Sequence, residues 1–224
     1  MLPYGKEGFI RSAVAGRDIK YYTQKQLGEL WLLMRSAERT GFWEGENGRK
    51  RGSHRLTRAR DFRALCGIML WSGARVGEAL QLTAREVDFG LGVIALWTEK
   101  RRRDVRRYVP LHPELRVELL EFLVDRSMQR WSDEPLIRMK RGLVMKYCQQ
   151  LQAHLGWEVR SHMFRHTFAV RAARAGVPLN VLQKWLGHSS IFNTSIYTDV
   201  GGLDTGPWMN LVQPVDIGDP NAHL

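Results

Sequence analysis

The chain has 224 residues, 44% hydrophobic and 25% charged, the make-up of an ordinary soluble globular protein with one substantial domain or a domain and an extension. Lys and Arg number 34 against 23 Asp and Glu, a net charge of +11 that favours a polyanionic partner, nucleic acid first and an anionic membrane surface second. No apolar run approaches a membrane span, and the opening MLPYGKEGFIRS lacks the apolar stretch of a signal peptide. Cys66 and Cys148 form no CxxC pair, so two reduced cysteines in a cytoplasmic, nucleoid-associated protein with no membrane attachment are expected.

Residues 1–20 read as a basic, irregular lead-in. From Thr23 the stretch TQKQLGELWLLMRSAE has apolar residues at helical spacing, and Thr23 with Gln26 fits a capping box. Residues 41–58 are rich in Gly and Arg and predict a mobile basic loop containing Arg49, Lys50 and Arg51. RDFRALCGIMLWSG returns to a buried helix closed by Gly73, and ARVGEALQLT is a second, short helix with Glu78 one turn after Arg75. The period then changes. GVIALWT and RRYVPL are extended runs, joined by EKRRRDV into a hairpin with a basic tip. Helices are predicted at 113–129, about 143–155, 162–175 with Ser161 as N-cap, and 179–187 with Gly187 closing it. The segment 198–224 carries Asp199, Asp204, Asp216 and Asp219 but no Lys or Arg. The class is α+β, mostly helical, with a small antiparallel sheet.

The decapeptide SHMFRHTFAV, Ser161 to Val170, concentrates the chemistry. As a metal site, His162 and His166 share one helix face, but Met163 stands where a general-base Glu would follow the first histidine. No acidic third-ligand segment follows, and Arg165 would put a fixed charge beside the cation. As a phosphate site, His162 lies in the first helical turn, where free N–H groups and the dipole favour an anion. Arg165, one turn on, offers a bidentate grip, and Phe164 and Phe168 hold the helix to the core. As ordinary residues, Arg165 is solvated and His162 is a satisfied helix start; for an isolated H-x-x-R that last reading prevails.

The longer stretch SHMFRHTFAVRAARAGVPLNVLQKWLGHSSIFNTSIYTD resembles the C-terminal signature of the tyrosine recombinase, or phage integrase, family: a H-x-x-R-H-T-F box, an L-G-H and a following tyrosine. SGARVGEALQL is similar to the family's upstream arginine box, and TEKRRRDVRRYVPL to its lysine-bearing hairpin before a V-P-L strand. The resemblance implies a tyrosine recombinase catalytic domain over 21–200, between the lead-in 1–20 and an acidic tail 201–224. It implies Arg75, Lys100, His162, Arg165, His188 and Tyr197 as the catalytic set. Tyr197 would be the nucleophile of a 3′-phosphotyrosyl link, His162 a candidate base, and Lys100 the acid for the departing 5′-oxygen. Glu78 and His166 would support these groups, while Arg49, Lys50, Arg51, Arg101, Arg102 and Arg103 would track DNA backbone. No metal, ATP or other cofactor is implied. The expected partners are double-stranded DNA, further copies of the chain (a tetramer or dimer pairs on DNA) and, as a candidate, an accessory DNA-binding protein. The family's N-terminal DNA-binding domain has no counterpart in these residues, and the acidic tail is expected to pack on a neighbouring copy. The rivals are a helix-turn-helix regulator built on AARAGVPLNVLQKWLGHSS, a metal-dependent nuclease using His162, His166 and His188, and an inactive family member.

Overall fold

The computed structural model describes residues 9–11, 18–40, 53–98 and 106–197. The lead-in is not irregular throughout. Strand β1 (Phe9–Arg11) pairs antiparallel with β2 (Asp18–Lys20), with Ile10 opposite Ile19. Helix α1 (Gln24–Thr40) starts on the reciprocal cap that its sequence specifies. The Thr23 hydroxyl accepts the Gln26 backbone N–H (3.2 Å), and the Gln26 side chain accepts that of Thr23 (2.9 Å). Its buried residues Leu27, Leu30, Met34 and Ala37 form one stripe.

Helix α2 (Ser53–Ser72) begins earlier than the sequence suggests, so 53–58 belong to the helix and not to the predicted loop. The Gly-rich stretch ends at Gly52, and nothing in SHRLTR resists helix. Ala64, Leu65, Cys66, Ile68, Met69 and Leu70 are all buried, on every side of the helix, which makes α2 the central rod of the molecule. Both cysteines are buried thiols without a disulfide.

Helix α3 (Val76–Gln81) and a single 3-10 turn (Ala84–Glu86) lead into a three-stranded antiparallel sheet. Its order is β3 (Val87–Asp88), β4 (Val93–Trp97), β5 (Arg106–Pro110). In β4 and β5, Ala95 pairs with Tyr108 and Trp97 with Arg106. Helix α4 (Pro113–Asp125) is capped by His112, whose Nδ1 accepts the Glu114 N–H at 3.2 Å, and it ends four residues before its predicted end, with Ser127 at φ 48. Helix α5 (Arg141–Leu155) follows.

Helix α6 (Ser161–Arg174) has Arg160, not Ser161, at its cap. The Tyr22 hydroxyl donates to the Arg160 carbonyl (2.9 Å) and accepts its N–H (3.0 Å), which holds that residue extended and fixes the first helical residue at Ser161. Thr167 takes the Tyr22 N–H at 2.8 Å, so the start of α6 is sewn to the segment before α1 at two points. Helices α7 (Leu179–Leu186) and α8 (Phe192–Ser195) complete the described chain. The main core surrounds α2. A smaller cluster of Ile19, Tyr21, Ala169, Val170, Leu182, Leu186 and Tyr197 lies between α6 and α7. No described helix is long and apolar enough to cross a membrane.

Candidate active site

The site is built around a buried carboxylate. Arg75 caps α3 in extended conformation, and Glu78, three residues on, folds back over it. Glu78 Oε2 accepts the Arg75 backbone N–H at 2.8 Å, and Oε1 accepts Arg75 Nη1 at 2.7 Å. The Glu78 side chain is fully buried and that of Arg75 is 19% exposed. A second arginine arrives from the sheet. Strand β5 alternates, with Arg107 and Val109 inward and Arg106, Tyr108 and Pro110 outward. Arg107 Nη2 meets Glu78 Oε2 at 2.5 Å. Burial works against the charge on Glu78, but the bonds and charges of Arg107 and Arg75 outweigh it and hold the carboxyl below its ordinary value.

Arg165 is neither solvated nor on an exposed face with His162. It is 2% exposed, whereas His162 is on the surface. Arg165 Nη1 donates to the Gly73 carbonyl and Nη2 to the Leu186 carbonyl at 2.6 Å. It thus ties the turn before Arg75 to the end of α7. Burial and the charges of Arg75 and Arg107 push its guanidinium down to about 9, which leaves it charged at neutral pH. Arg107 does the same one residue earlier, its Nε donating to the Trp185 carbonyl at 2.8 Å. Two buried arginines therefore take two of the last carbonyls of α7, groups that a helix end leaves unpaired and that favour a cation.

The residue after that helix end is Gly187, at φ 62, and then comes His188. His188 Nδ1 lies 2.9 Å from the Thr194 hydroxyl, and the His188 backbone is held by Gln183 on both sides, N–H to carbonyl at 3.1 Å and carbonyl to side-chain amide at 3.2 Å. Burial and then Arg165, Arg75 and Arg107 push its imidazole down to about 3. Tyr197 is 2% exposed, its ring in the smaller cluster. Its hydroxyl sits 2.8 Å from His166 Nδ1. Burial raises the Tyr197 hydroxyl to about 12 although the charges of Arg165 and Arg75 oppose the rise. His166 is pushed down to about 4 by burial, His162 and Arg165, and His162 stands edge-on to it with ring centroids 4.5 Å apart.

The fold thus gathers Arg75, Glu78, Arg165, His166, His188 and Tyr197, with His162 at the rim. Lys100 and the basic residues Arg49, Lys50, Arg51, Arg101, Arg102 and Arg103 lie outside the described residues, as does the acidic tail. Among the described residues no three of His, Cys, Asp and Glu come together as a metal-binding group. Sequence reasoning overlooked Arg107. Its signal was an arginine in register with the apolar Val109 on an alternating strand.

A buried carboxylate shared by two arginines, a third arginine on helix-end carbonyls and a sealed tyrosine against a histidine bring together residues from the separate sequence boxes that carry the resemblance to tyrosine recombinases. The comparisons with known proteins agree. Residues 54–201 match the family model described as "Phage integrase family", and the chain belongs to that family. It is 32% identical over 154 residues to the tyrosine recombinase XerA of Thermococcus kodakarensis, covering 64% of this chain and 52% of that one. The chain therefore spans about half the length of this curated relative. Among solved structures, the catalytic domain of bacteriophage HP1 integrase superposes with a TM-score of 0.56 at 20% identity, covering 86% of this chain and 95% of that one. The XerH site-specific recombinase bound to its difH substrate superposes with a TM-score of 0.58 at 22% identity, covering 80% and 49%. The fold is that of the catalytic domains of tyrosine recombinases.

Proposed function

We propose that the chain is a site-specific DNA recombinase that cuts and rejoins strands through a covalent bond between Tyr197 and a DNA 3′-phosphate, with residues 21–200 as the catalytic unit. The observation that carries this is the placement of the Tyr197 hydroxyl, 2.8 Å from an imidazole nitrogen and within the field of Arg75 and Arg165. Its oxygen attacks phosphorus and its proton passes to His166 Nδ1, while the bond to the 5′-oxygen breaks. Rejoining is the reverse, with the 5′-hydroxyl attacking and Tyr197 leaving, so the energy of the broken bond is kept and ATP is not needed. In this assignment His166, not the neighbouring His162, takes the tyrosine proton.

Arg75, Arg165 and His188 are assigned to the non-bridging oxygens, where fixed donors in a water-poor site stabilise developing charge. Lys100 supplies the proton to the departing 5′-oxygen, and cations carry the electrostatic work without a metal. In the free protein the two partners stand far apart, Tyr197 near 12 and His166 near 4. Proton transfer between them costs on the order of 10 kcal/mol, so the tyrosine is inert until a phosphodiester arrives. Duplex DNA is the proposed substrate, and the structurally similar Tn1549 transposon integrase was solved in complex with circular intermediate DNA. Assembly of several copies on DNA, with the acidic tail packed on a neighbour, and help from an accessory DNA-binding protein belong to the same proposal.

The test is incubation with duplex fragments from the gene's own genomic neighbourhood in excess EDTA, followed by denaturing electrophoresis. A covalent protein–DNA band with the wild type and none with Tyr197→Phe is expected. DNA binding without an adduct would point to a regulator or an inactive family member. Cleavage only after metal is restored would refute the assignment of the histidines.

A further inference from the structure

Arg107 touches both halves of the site and has one donor to spare. It is 7% exposed. Nη2 is on Glu78 and Nε on the Trp185 carbonyl, while Nη1 is buried with no hydrogen-bond partner among the described residues. A buried, unpaired arginine N–H is costly enough to call for a reason. The reason lies across the pair. Glu78 Oε1 accepts from Arg75 Nη1, and Arg75 is the more exposed of the two arginines on this carboxylate. If Arg75 turns to a phosphate, Oε1 is stranded in a fully buried side chain unless another donor takes it.

We propose that Arg107 is a positioning residue of the phosphate site: its spare Nη1 takes Glu78 Oε1 when Arg75 engages a phosphate, and its Nε holds the helix end that carries His188. The exchange turns a single contact into a two-pronged guanidinium–carboxylate pair, a strong and geometrically specific arrangement. It also keeps the charges in order. Alone with Glu78, Arg75 would be half of a neutral pair. With Arg107 sharing that carboxylate, the group of three keeps a net positive charge to offer an anion. Lysine cannot substitute, because one ammonium has neither the fork nor the reach to hold Glu78 and Trp185 together.

The inference rests on the recombinase reading, so its test has a readout that needs no cleavage. Binding of inorganic phosphate to the full chain is followed by phosphorus NMR line broadening for wild type, Arg107→Lys and Arg107→Met, with Arg75→Ala marking the site. Thermal unfolding is measured alongside, and adduct formation on the DNA pool is timed. Stranding a buried carboxylate oxygen weakens phosphate binding about 10- to 100-fold. That loss is expected in both Arg107 variants, with Arg107→Lys still folding cooperatively, and adduct formation is expected to fall at least as far. Phosphate binding by folded Arg107→Lys at the wild-type level overturns the proposal, as does broadening indifferent to Arg75→Ala. Loss of the folded state in both Arg107 variants would make the residue purely structural and overturn it too. A wild type that binds phosphate in the expected pattern yet forms no adduct would sink the recombinase reading and leave the role of Arg107 standing.

Discussion

Gly187→Ala and Gly156→Ala are the same substitution at the same kind of place, and they are expected to differ. Both glycines close a helix in the left-handed region, Gly156 at φ 75 after α5 and Gly187 at φ 62 after α7. A Cβ at Gly156 would meet nothing within 4 Å. At Gly187 it would lie 3.0 Å from Arg107 Cδ and 3.3 Å from both Nε and Nη1. The backbone strain of alanine in this region is common to both and costs about 1 kcal/mol. Only at Gly187 must Arg107 also move, and it cannot do so while keeping the Trp185 carbonyl at 2.8 Å and Glu78 at 2.5 Å. Weakening hydrogen bonds to a buried charged group adds about 1.5–3 kcal/mol. Gly156→Ala should therefore lose about 1 kcal/mol and Gly187→Ala roughly 2.5–4 kcal/mol, or about 2–4 °C against about 5–15 °C in Tm. Urea and thermal unfolding at neutral pH measure both. Equal losses would show that Arg107 yields at no cost, and the reasoning that places it as a rigid clamp would fail.

Two further outcomes follow from buried titrating groups. His166 and His188 sit near 4 and 3 in the fold and near 6.5 when unfolded, so between those values the unfolded chain binds more protons. Stability should thus fall as pH drops from about 6.5 toward 4, by at most about 1.4 kcal/mol per pH unit for each residue and by less in practice, since both keep some solvent contact. Urea midpoints at pH 7, 6 and 5 check it, and a double His→Gln variant with an unchanged slope would contradict it. Glu118, buried beneath Arg63, is pushed up to about 7, chiefly by burial and against the pull of Arg63. Burial opposes the charge on both partners, yet Arg63, served also by Glu38, is held charged more firmly than usual while Glu118 is not. A raised carboxyl is a liability above its unfolded value, so Glu118→Gln should stabilise by up to about 3 kcal/mol at pH 8 and by almost nothing near pH 4. Destabilisation of similar size at both pH values would refute this.

How much of this could be read from the residues depends on whether the signal was local. The start of α1 is legible because Thr23 and Gln26 satisfy each other within one turn. The ends of α2 and α7 are legible because Gly73 and Gly187 lie at positive φ, where glycine is at home. β1, β3 and α8 are two to four residues long, too short for any periodicity, and exist through their neighbours. The same divide runs through the site. The pair of Arg75 and Glu78 is a local motif three residues apart, readable as such. Which histidine meets Tyr197 is not, because the contact spans 31 residues and is set by how α7 and α8 return to α6. Arg107 was lost in a run of arginines, KRRRDVRR, in which its described neighbour Arg106 faces outward.

The buried charges also bear on why such a site suits a polyanion. Among the described residues, Arg75, Arg107 and Arg165 converge with a single carboxylate, Glu78, to balance them, and the other counter-groups are the carbonyls of Gly73, Trp185 and Leu186. Carbonyl dipoles orient guanidinium groups but do not neutralise them. Burial first, and the excess positive charge with it, presses Arg165 down to about 9 and keeps both imidazoles uncharged near neutrality. An anion entering there relieves all of these groups together: the arginines gain a counter-charge, and the imidazoles become easier to protonate. Easing protonation of His166 lowers the cost of moving the Tyr197 proton onto it. In the proposed reaction, the sealed pocket that leaves the tyrosine inert in the free protein is thus the one in which a bound phosphodiester would have the largest effect, since charge interactions strengthen as water is excluded.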